Sequence, residues 1–389
     1  MVERVDKRKE PSERAKRLVW AAAAGRCTFC NASVIANDDL GEPVPIGELA
    51  HNVGATSNSP RGDSDLTRDE RAEAENLLLV CRNCHKPVDE HGNLGRWSVE
   101  ELQRRKREHE QRIRDLTAIG ADRKAYLIRV VGQVRGTPPE LSRDTVLQAA
   151  TAAGLYPQRL PEAHFTDVDL DLTYRGDQHS RSDFEACVAD IDRLAARIHD
   201  GVRHNAIHRV AVFGFARIPL LVQLGASLDD KLETLVFHRH RVDDGNAWAW
   251  PQAEPSCEFE INQLQTGSDH DAIALVLSLS GEIRPGELPP DIDASFTIYE
   301  IHPVEPAERG PKLLKSPADL ARFESQLRRF LAQVEQTHGK VPSIAVFAAV
   351  GVGPAVTLGR VLMPDVSPCL RVFDRDDNGV FFEALAVRG

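Results

Sequence analysis

Cys27-Thr28-Phe29-Cys30 and Cys81-Arg82-Asn83-Cys84-His85 are the stretches whose reading decides the N-terminal fold of this chain. Each CxxC turn delivers two soft thiolates to one point, and two such turns close a tetrahedral Zn²⁺ site. Sulfur at all four positions leaves none open, so the spacing predicts a structural zinc on Cys27, Cys30, Cys81 and Cys84. Any chemistry must then come from neighbouring His, Asn and Asp side chains.

Between the pairs, Gly47-Glu48-Leu49-Ala50-His51-Asn52 reads as a short strand, 54–75 as a polar loop, and Asn76-Leu77-Leu78-Leu79-Val80 as a second strand entering the second knuckle. The predicted order is strand, loop, strand, knuckle, helix. Pro87 fits that helix if it falls in the first turn, where its missing N–H loses no helical bond. A neutral imidazole is suited to taking a proton from water near neutral pH, and His51 is the candidate for that role. His85 and Asp89, four residues apart, project from one helix face and can share a divalent cation. Taken singly, either histidine reads as an ordinary hydrogen-bonded or surface residue; the ordered set gives both their weight.

Over roughly 25–97 this arrangement resembles the HNH nuclease family, whose pattern is a CxxC, a His closing a strand, an Asn before a second CxxC, and a His after it. The resemblance implies His51 as general base, Asn76 as the amide bracing the base's loop, and His85 with Asp89 as ligands of Mg²⁺ or a similar ion. Such an ion stabilises charge on the phosphoryl and departing oxygens. One position departs from the pattern: many relatives carry a further His or Asp ligand just before the catalytic His, and here Ala50 stands there. Water, phosphate and His91 are the candidates to complete the shell.

Ser98-Val99-Glu100-Glu101 reads as a capping box opening a charged helix that runs to about Ile119, with Gly120 as its stop. A helix so charged can bridge domains, lie along DNA or pack against a second copy.

Beyond Tyr126 short apolar strands alternate with amphipathic helices, the pattern of α/β layering. An internal repeat lays Arg209-Val210-Ala211-Val212-Phe213 over Ser343-Ile344-Ala345-Val346-Phe347, and the same offset aligns Leu224-Gly225 with Leu358-Gly359. A shift of two aligns Val236-Phe237 with Val372-Phe373, and the strands at 170–174 and 296–301 also correspond. Two Rossmann-like halves should bind a ligand between them, beyond the carboxyl ends of their strands. Phe215-Ala216-Arg217, Ser278-Leu279-Ser280-Gly281 and Gly351-Val352-Gly353-Pro354 are so placed. None of these is a GxGxxG fingerprint or a Walker loop, so NAD and ATP are not indicated. His238-Arg239-His240-Arg241 and Trp248-Ala249-Trp250 add cations and stacking faces suited to a nucleotide, or else a solvated edge and core tryptophans.

The C-terminal part is similar to the SAVED family, related to fused CARF-type Rossmann units. The similarity rests on the 238–250 stretch, Leu277-Ser278-Leu279-Ser280-Gly281, and Leu358-Gly359-Arg360-Val361-Leu362-Met363-Pro364. Joined to the N-terminal module, it resembles the HNH–SAVED effector endonucleases of cyclic-oligonucleotide antiphage signalling, CBASS. The resemblance implies an α+β zinc-bound ββα (HNH, treble-clef-like) nuclease domain over 1–97, a helical linker over 98–125, and an α/β SAVED sensor of two CARF-like halves over 126–389. It further implies a non-specific double-stranded DNA endonuclease, idle until a cyclic di- or trinucleotide binds and drives self-association. His240, Arg241, Trp248, Trp250, Ser280 and Gly351 are the expected ligand residues. Two rivals remain: a constitutive restriction-type endonuclease whose C-terminal half reads DNA, and a ligand-responsive DNA-binding regulator with an inactive zinc module.

Composition is consistent with this reading. With 42% hydrophobic and 28% charged residues over 389 positions, the chain should form at least two soluble domains. No apolar run approaches the roughly 18–20 residues of a membrane span, the start is charged, and paired cysteines favour metal over disulfides, all pointing to the cytoplasm. Basic and acidic side chains nearly cancel through Gly120, so almost all of the net charge of −11 belongs to the C-terminal part. The basic clusters at 7–9, 14–17 and 104–107 fit either a phosphate backbone or solvated helix faces.

Overall fold

The computed structural model describes residues 7–37, 41–134, 136, 141–158, 169–176, 178, 180–229, 231–241, 245–251, 254 and 257–389. The chain divides into two compact units, Met1–Gly120 and Ala121–Gly389.

In the first unit, helix α1 (Glu13–Ala22) opens at Ser12, whose hydroxyl accepts the Ala15 N–H at 3.1 Å. Strands β1 (Ile35–Asn37) and β2 (Pro43–Pro45) form an antiparallel ribbon, as do β3 (Glu48–His51) and β4 (Leu77–Val80). The register sets His51 opposite Leu77 and Glu48 opposite Val80. All of β4 is buried, clustered with Val19 of α1, Ala23 at its C-terminal cap, Cys27, Val34, Ala50, Val88 and Leu102. Each buried Leu or Val of this set contributes about 2 kcal/mol, and the cluster holds the cysteine knuckles against the strands. Short helices α2 (Arg68–Arg71) and α3 (Arg82–Asp89) flank β4, and α4 (Val99–Thr117) closes the unit.

Pro87 lies near the end of α3, outside its first turn. The helix tolerates it because it ends two residues on, and the late carbonyls find other donors: Asn93 Nδ2 bonds Pro87 O at 3.2 Å and Arg61 Nη1 bonds Val88 O at 2.8 Å. At the start of α4 the Ser98 hydroxyl accepts the Glu101 N–H, but the Glu101 carboxylate turns to Arg104 and Arg105. Several cations of α4 pair with acids on the same helix, Arg104 with Glu108 and Lys106 with Glu110 among them. Leu102 and His109 are buried within the first unit, and Arg105 covers Phe29 and Trp97, themselves edge-to-face at 5.1 Å.

The second unit contains β5 (Lys124–Val131), α5 (Arg143–Ala152), β6 (Tyr156–Gln158), β7 (Asp169–Asp171), α6 (Arg181–Arg203), β8 (Arg209–Phe215), α7 (Ile218–Leu228) and β9 (Glu233–Val236). There follow β10 (Phe259–Gln265), β11 (Ile273–Ser278), β12 (Thr297–Pro303), α8 (Pro317–His338), β13 (Ser343–Ala349), α9 (Val352–Arg360), β14 (Cys369–Arg375) and β15 (Phe381–Val387). The first sheet runs β6-β5-β8-β9 with β7 also on β5, all parallel. The second runs β10-β12-β11-β13-β14-β15, parallel except for β10 and β15 at its edges. The parallel cores β7-β5-β8-β9 and β12-β11-β13-β14 have the same order, and the segments aligned by the sequence repeat occupy equivalent strands.

The aligned glycines meet at the centre of this duplication. Helices α7 and α9 pack backbone to backbone: a Cβ on Gly225 would strike the Val356 carbonyl oxygen, and one on Gly359 the Val222 carbonyl oxygen. Gly225→Ala should therefore destabilise the second unit by about 1–3 kcal/mol from overpacking, although alanine is otherwise the better helix former. Urea unfolding checks this, and an unchanged or raised midpoint would contradict it.

Candidate active site and ligand cavity

The Cys27, Cys30, Cys81 and Cys84 sulfurs all lie within 4.8 Å of one another, with Cys30 and Cys81 3.7 Å apart. The first knuckle turns through Asn31 at φ 58°, and the second starts α3, the Cys84 N–H returning to the Cys81 carbonyl at 3.0 Å. Burial and then the neighbouring Cys81 and Cys27 sulfurs push the Cys84 thiol well up. Thiolates this crowded coexist only around a cation, and an all-sulfur donor set fits zinc.

His51 ends β3 and Asn76 precedes β4, so strand pairing brings them to the same end of the ribbon. The buried Asn76 amide accepts the Val53 N–H at 2.9 Å and donates to Val53 O at 2.8 Å and Arg71 O at 2.9 Å, gripping the chain two residues past His51. His51 Nε2 is buried with no hydrogen-bond partner among the described residues. Burial, then the charges of Arg8 and His85, hold its pKa below the ordinary imidazole value, with Asp89 opposing. The ring is therefore a neutral base at neutral pH.

On α3, His85 Nε2 stands 3.2 Å from Asp89 Oδ2, while His85 Nδ1 is 2.7 Å from Glu48 Oε2 on β3. The hydrogen bond to Asp89 outweighs burial and, with Glu48, raises the His85 pKa; the ring stands between the two carboxylates, and a divalent cation would take the place of the hydrogen bond between Nε2 and Asp89. Burial pushes the Asp89 carboxyl up, but the hydrogen bonds from His85 and Arg61 more than offset it and leave the carboxyl ionised. An ionised carboxylate beside an imidazole nitrogen is a mixed donor set that fits Mn²⁺; Mg²⁺ would draw chiefly on the Asp89 carboxylate. The His91 side chain lies outside the described residues.

The sequence reading missed Glu48 and Arg61. Strand alternation puts Glu48 on the same face as Ala50, a signal that was available. Arg61 carried none: its contacts depend on how the loop after His51 folds back, and that fold is held by buried Arg71, which donates to the carbonyls of Gly54, Gly62, Ser64 and Leu66.

In the second unit a cavity of about 190 Å³ opens at the carboxyl ends of β11 and β13. Ser280, Gly351 and Pro354 line it from the second half, and His238, Arg239 and Arg241, following β9, line it from the first. An adjoining cavity of about 500 Å³ shares Arg241 and is walled by Arg309 and Lys312. Together they reach the roughly 300–1,000 Å³ of small-molecule sites.

The structure places the other expected ligand residues elsewhere. Trp248 is fully buried against Phe213, a core side chain with no face for a ligand. Trp250 packs on His238 and His240, with ring centroids 6.1 and 4.9 Å away, behind the cavity wall. His240 is buried too; burial pushes its pKa down to about 4, and burial followed by His240 pushes His238 to about 3. Both imidazoles are neutral at neutral pH, which leaves the positive charge on the wall of the smaller cavity to Arg239 and Arg241. Arg217 bonds Asp374 at 2.8 Å and the Arg375 carbonyl at 2.7 Å, and so joins the two halves.

Duplicated parallel cores with a cavity at their strand ends define a tandem Rossmann-like α/β protein of the ligand-binding kind. The family described as "SMODS-associated and fused to various effectors sensor domain", SAVED, matches residues 190–387. The chain belongs to the SAVED family. Among solved structures it is similar to the Acinetobacter baumannii Cap4 SAVED/CARF-domain receptor with the cyclic trinucleotide 3′3′3′-cAAA, at 12% identity and a TM-score of 0.43. That match covers 79% of this chain and 61% of the other. The same receptor with 2′3′3′-cAAA gives 14% identity and a TM-score of 0.42 over the same shares, 79% and 61%. The Moraxella osloensis Cap4 receptor gives 13% and 0.38, over 59% of this chain and 48% of that one. The chain thus spans about 61% of the length of the first of these receptors. No curated protein matches it. Among the described residues, no helix is long and apolar enough to cross a membrane.

Proposed function

We propose that this chain is a metal-dependent double-stranded DNA endonuclease of the HNH type, switched on by a cyclic di- or trinucleotide bound to its SAVED domain, and that it acts as a CBASS antiphage effector in the cytoplasm. The observation that carries this reading is the neutral His51 imidazole at the end of β3, on a chain that Asn76 grips two residues further on, and close enough to His85 and Asp89 for their charges to bear on it.

The His51 imidazole accepts a proton from the attacking water. Asn76 keeps the backbone just past His51 in place. His85 and Asp89 would hold a divalent cation, which supplies charge neutralisation at the phosphate and at the departing oxygen. In the SAVED domain the first-half arginines Arg239 and Arg241 face the second-half backbone at Gly351 across one cavity, so an anionic ligand there would bind both halves at once. An idle effector needs a mostly incompetent resting population, and a ligand must favour the competent self-associated form by several kcal/mol to reverse it.

Incubating the protein with Mg²⁺, plasmid and a panel of cyclic di- and trinucleotides tests the gated reading: cutting is expected with a member of the panel and not without it. Cutting in every lane would favour the constitutive endonuclease, and ligand-dependent DNA binding without cutting the regulator. Arg241→Ala is expected to raise the half-activating ligand concentration about 10- to 100-fold, the loss of one hydrogen bond to a charged group. A normal response would remove Arg241 from the ligand site.

A further inference from the structure

We propose that Glu48 and Arg61 are positioning residues that aim the two metal ligands His85 and Asp89 at a single point, an inference that rests on the nuclease reading above. Each grips its ligand from the far side. Glu48 Oε2 lies 2.7 Å from His85 Nδ1, and Arg61 Nη2 lies 2.6 Å from Asp89 Oδ1. The atoms left facing each other are His85 Nε2 and Asp89 Oδ2, 3.2 Å apart. Two ligands about 2.1 Å from one octahedral ion stand about 3 Å apart, so this gap is already the edge of a coordination shell.

The two grips differ in what they determine. A carboxylate at Nδ1 accepts the N–H there and fixes the ring's orientation with Nε2 turned toward Asp89, the edge a cation would occupy; this is the outer-carboxylate device of metal-bound histidines. Arg61 determines position. Its side chain is only 5% exposed, and besides Asp89 it donates to the carbonyls of Asn52 at 2.9 Å, His51 at 3.2 Å and Val88 at 2.8 Å. One guanidinium thus ties the end of the base's strand to the end of the ligands' helix. Lysine carries the same charge but cannot reach these acceptors in a planar fork. Glu48 also answers the substitution at Ala50: the strand supplies its carboxylate two residues upstream, on the same face, as a support for His85.

The test uses the full-length, zinc-loaded protein and Mn²⁺ as the probe, followed by electron paramagnetic resonance. Wild type is expected to bind Mn²⁺ with nitrogen coupling from an imidazole. Glu48→Gln is expected to weaken Mn²⁺ binding about 10- to 100-fold and to reduce that coupling, and Arg61→Lys to weaken binding by a similar factor with the coupling kept. Zinc content and the far-UV spectrum should stay at wild-type values in Glu48→Gln, a half-exposed position, so that variant decides the matter if Arg61→Lys does not fold. Wild-type Mn²⁺ affinity and coupling in Glu48→Gln would overturn the proposal, as would a wild type that binds no Mn²⁺. A wild type that binds Mn²⁺ through nitrogen yet never cuts DNA would sink the nuclease reading, with the variant affinities still deciding the roles of Glu48 and Arg61.

Discussion

His51→Ala is expected to lower plasmid cutting by about 10²- to 10⁴-fold, the usual worth of a general base, while zinc content and ligand binding stay normal. The pH dependence carries more information than the loss alone. Burial, Arg8 and His85 keep His51 below its ordinary pKa of 6.5. The reactive form is the unprotonated ring, so lowering the pKa extends activity toward acid. At saturating metal and activator, the acid limb of the cutting rate should fall below pH 6.5, and that limb should be absent from the residual activity of the alanine variant. Full activity in His51→Ala would show that this imidazole takes no proton.

Cys84→Ser, or removal of zinc by a strong chelator, is expected to unfold Met1–Gly120 and leave Ala121–Gly389 folded. Structural zinc in small modules is worth about 10–16 kcal/mol at neutral pH, as large as the whole stability of a typical domain, about 5–15 kcal/mol. The first unit has little to replace it, because its buried cluster centres on β4 and is joined to the knuckles through Cys27, Cys81 and Cys84. Calorimetry should lose one transition and keep another, and the second unit should bind its ligand as before. A first unit that melts at its original temperature after quantitative zinc loss would show that sulfur and metal carry no part of its stability.

Both experiments probe features that the linear chain already displayed. CxxC spacing is a local property, so the cluster at Cys27, Cys30, Cys81 and Cys84 was legible before any tertiary contact was known. The strand order was legible for the same reason, since Leu77-Leu78-Leu79-Val80 is a short run without a polar position, too short for a core helix, and it forms a buried strand. The repeat was also visible as matching strings, and the strand order within each half agrees with it. What the strings could not show is why Gly225 and Gly359 match. Their reason is the crossing of α7 over α9, where each glycine meets the other helix's carbonyl oxygen.

The ligand site was the least legible part. Trp248 and Trp250 look alike in sequence, yet one is sealed in the core and the other packs behind the cavity wall. His240 reads as a cation in the string His238-Arg239-His240-Arg241, but burial makes it neutral. Arg217 sits at a strand end as expected, and its guanidinium is committed to Asp374.

Sequence by itself determined the metal knuckles, the alternation of strands and helices, the duplication and the candidates for base and metal ligands. These depend on residue type and spacing along the chain, which folding does not alter. Only the tertiary structure decided which groups are charged, which are sealed away, and that Glu48 and Arg61 stand behind His85 and Asp89. Burial and the approach of distant side chains decide those properties, and neither exists until the loops between the elements have closed.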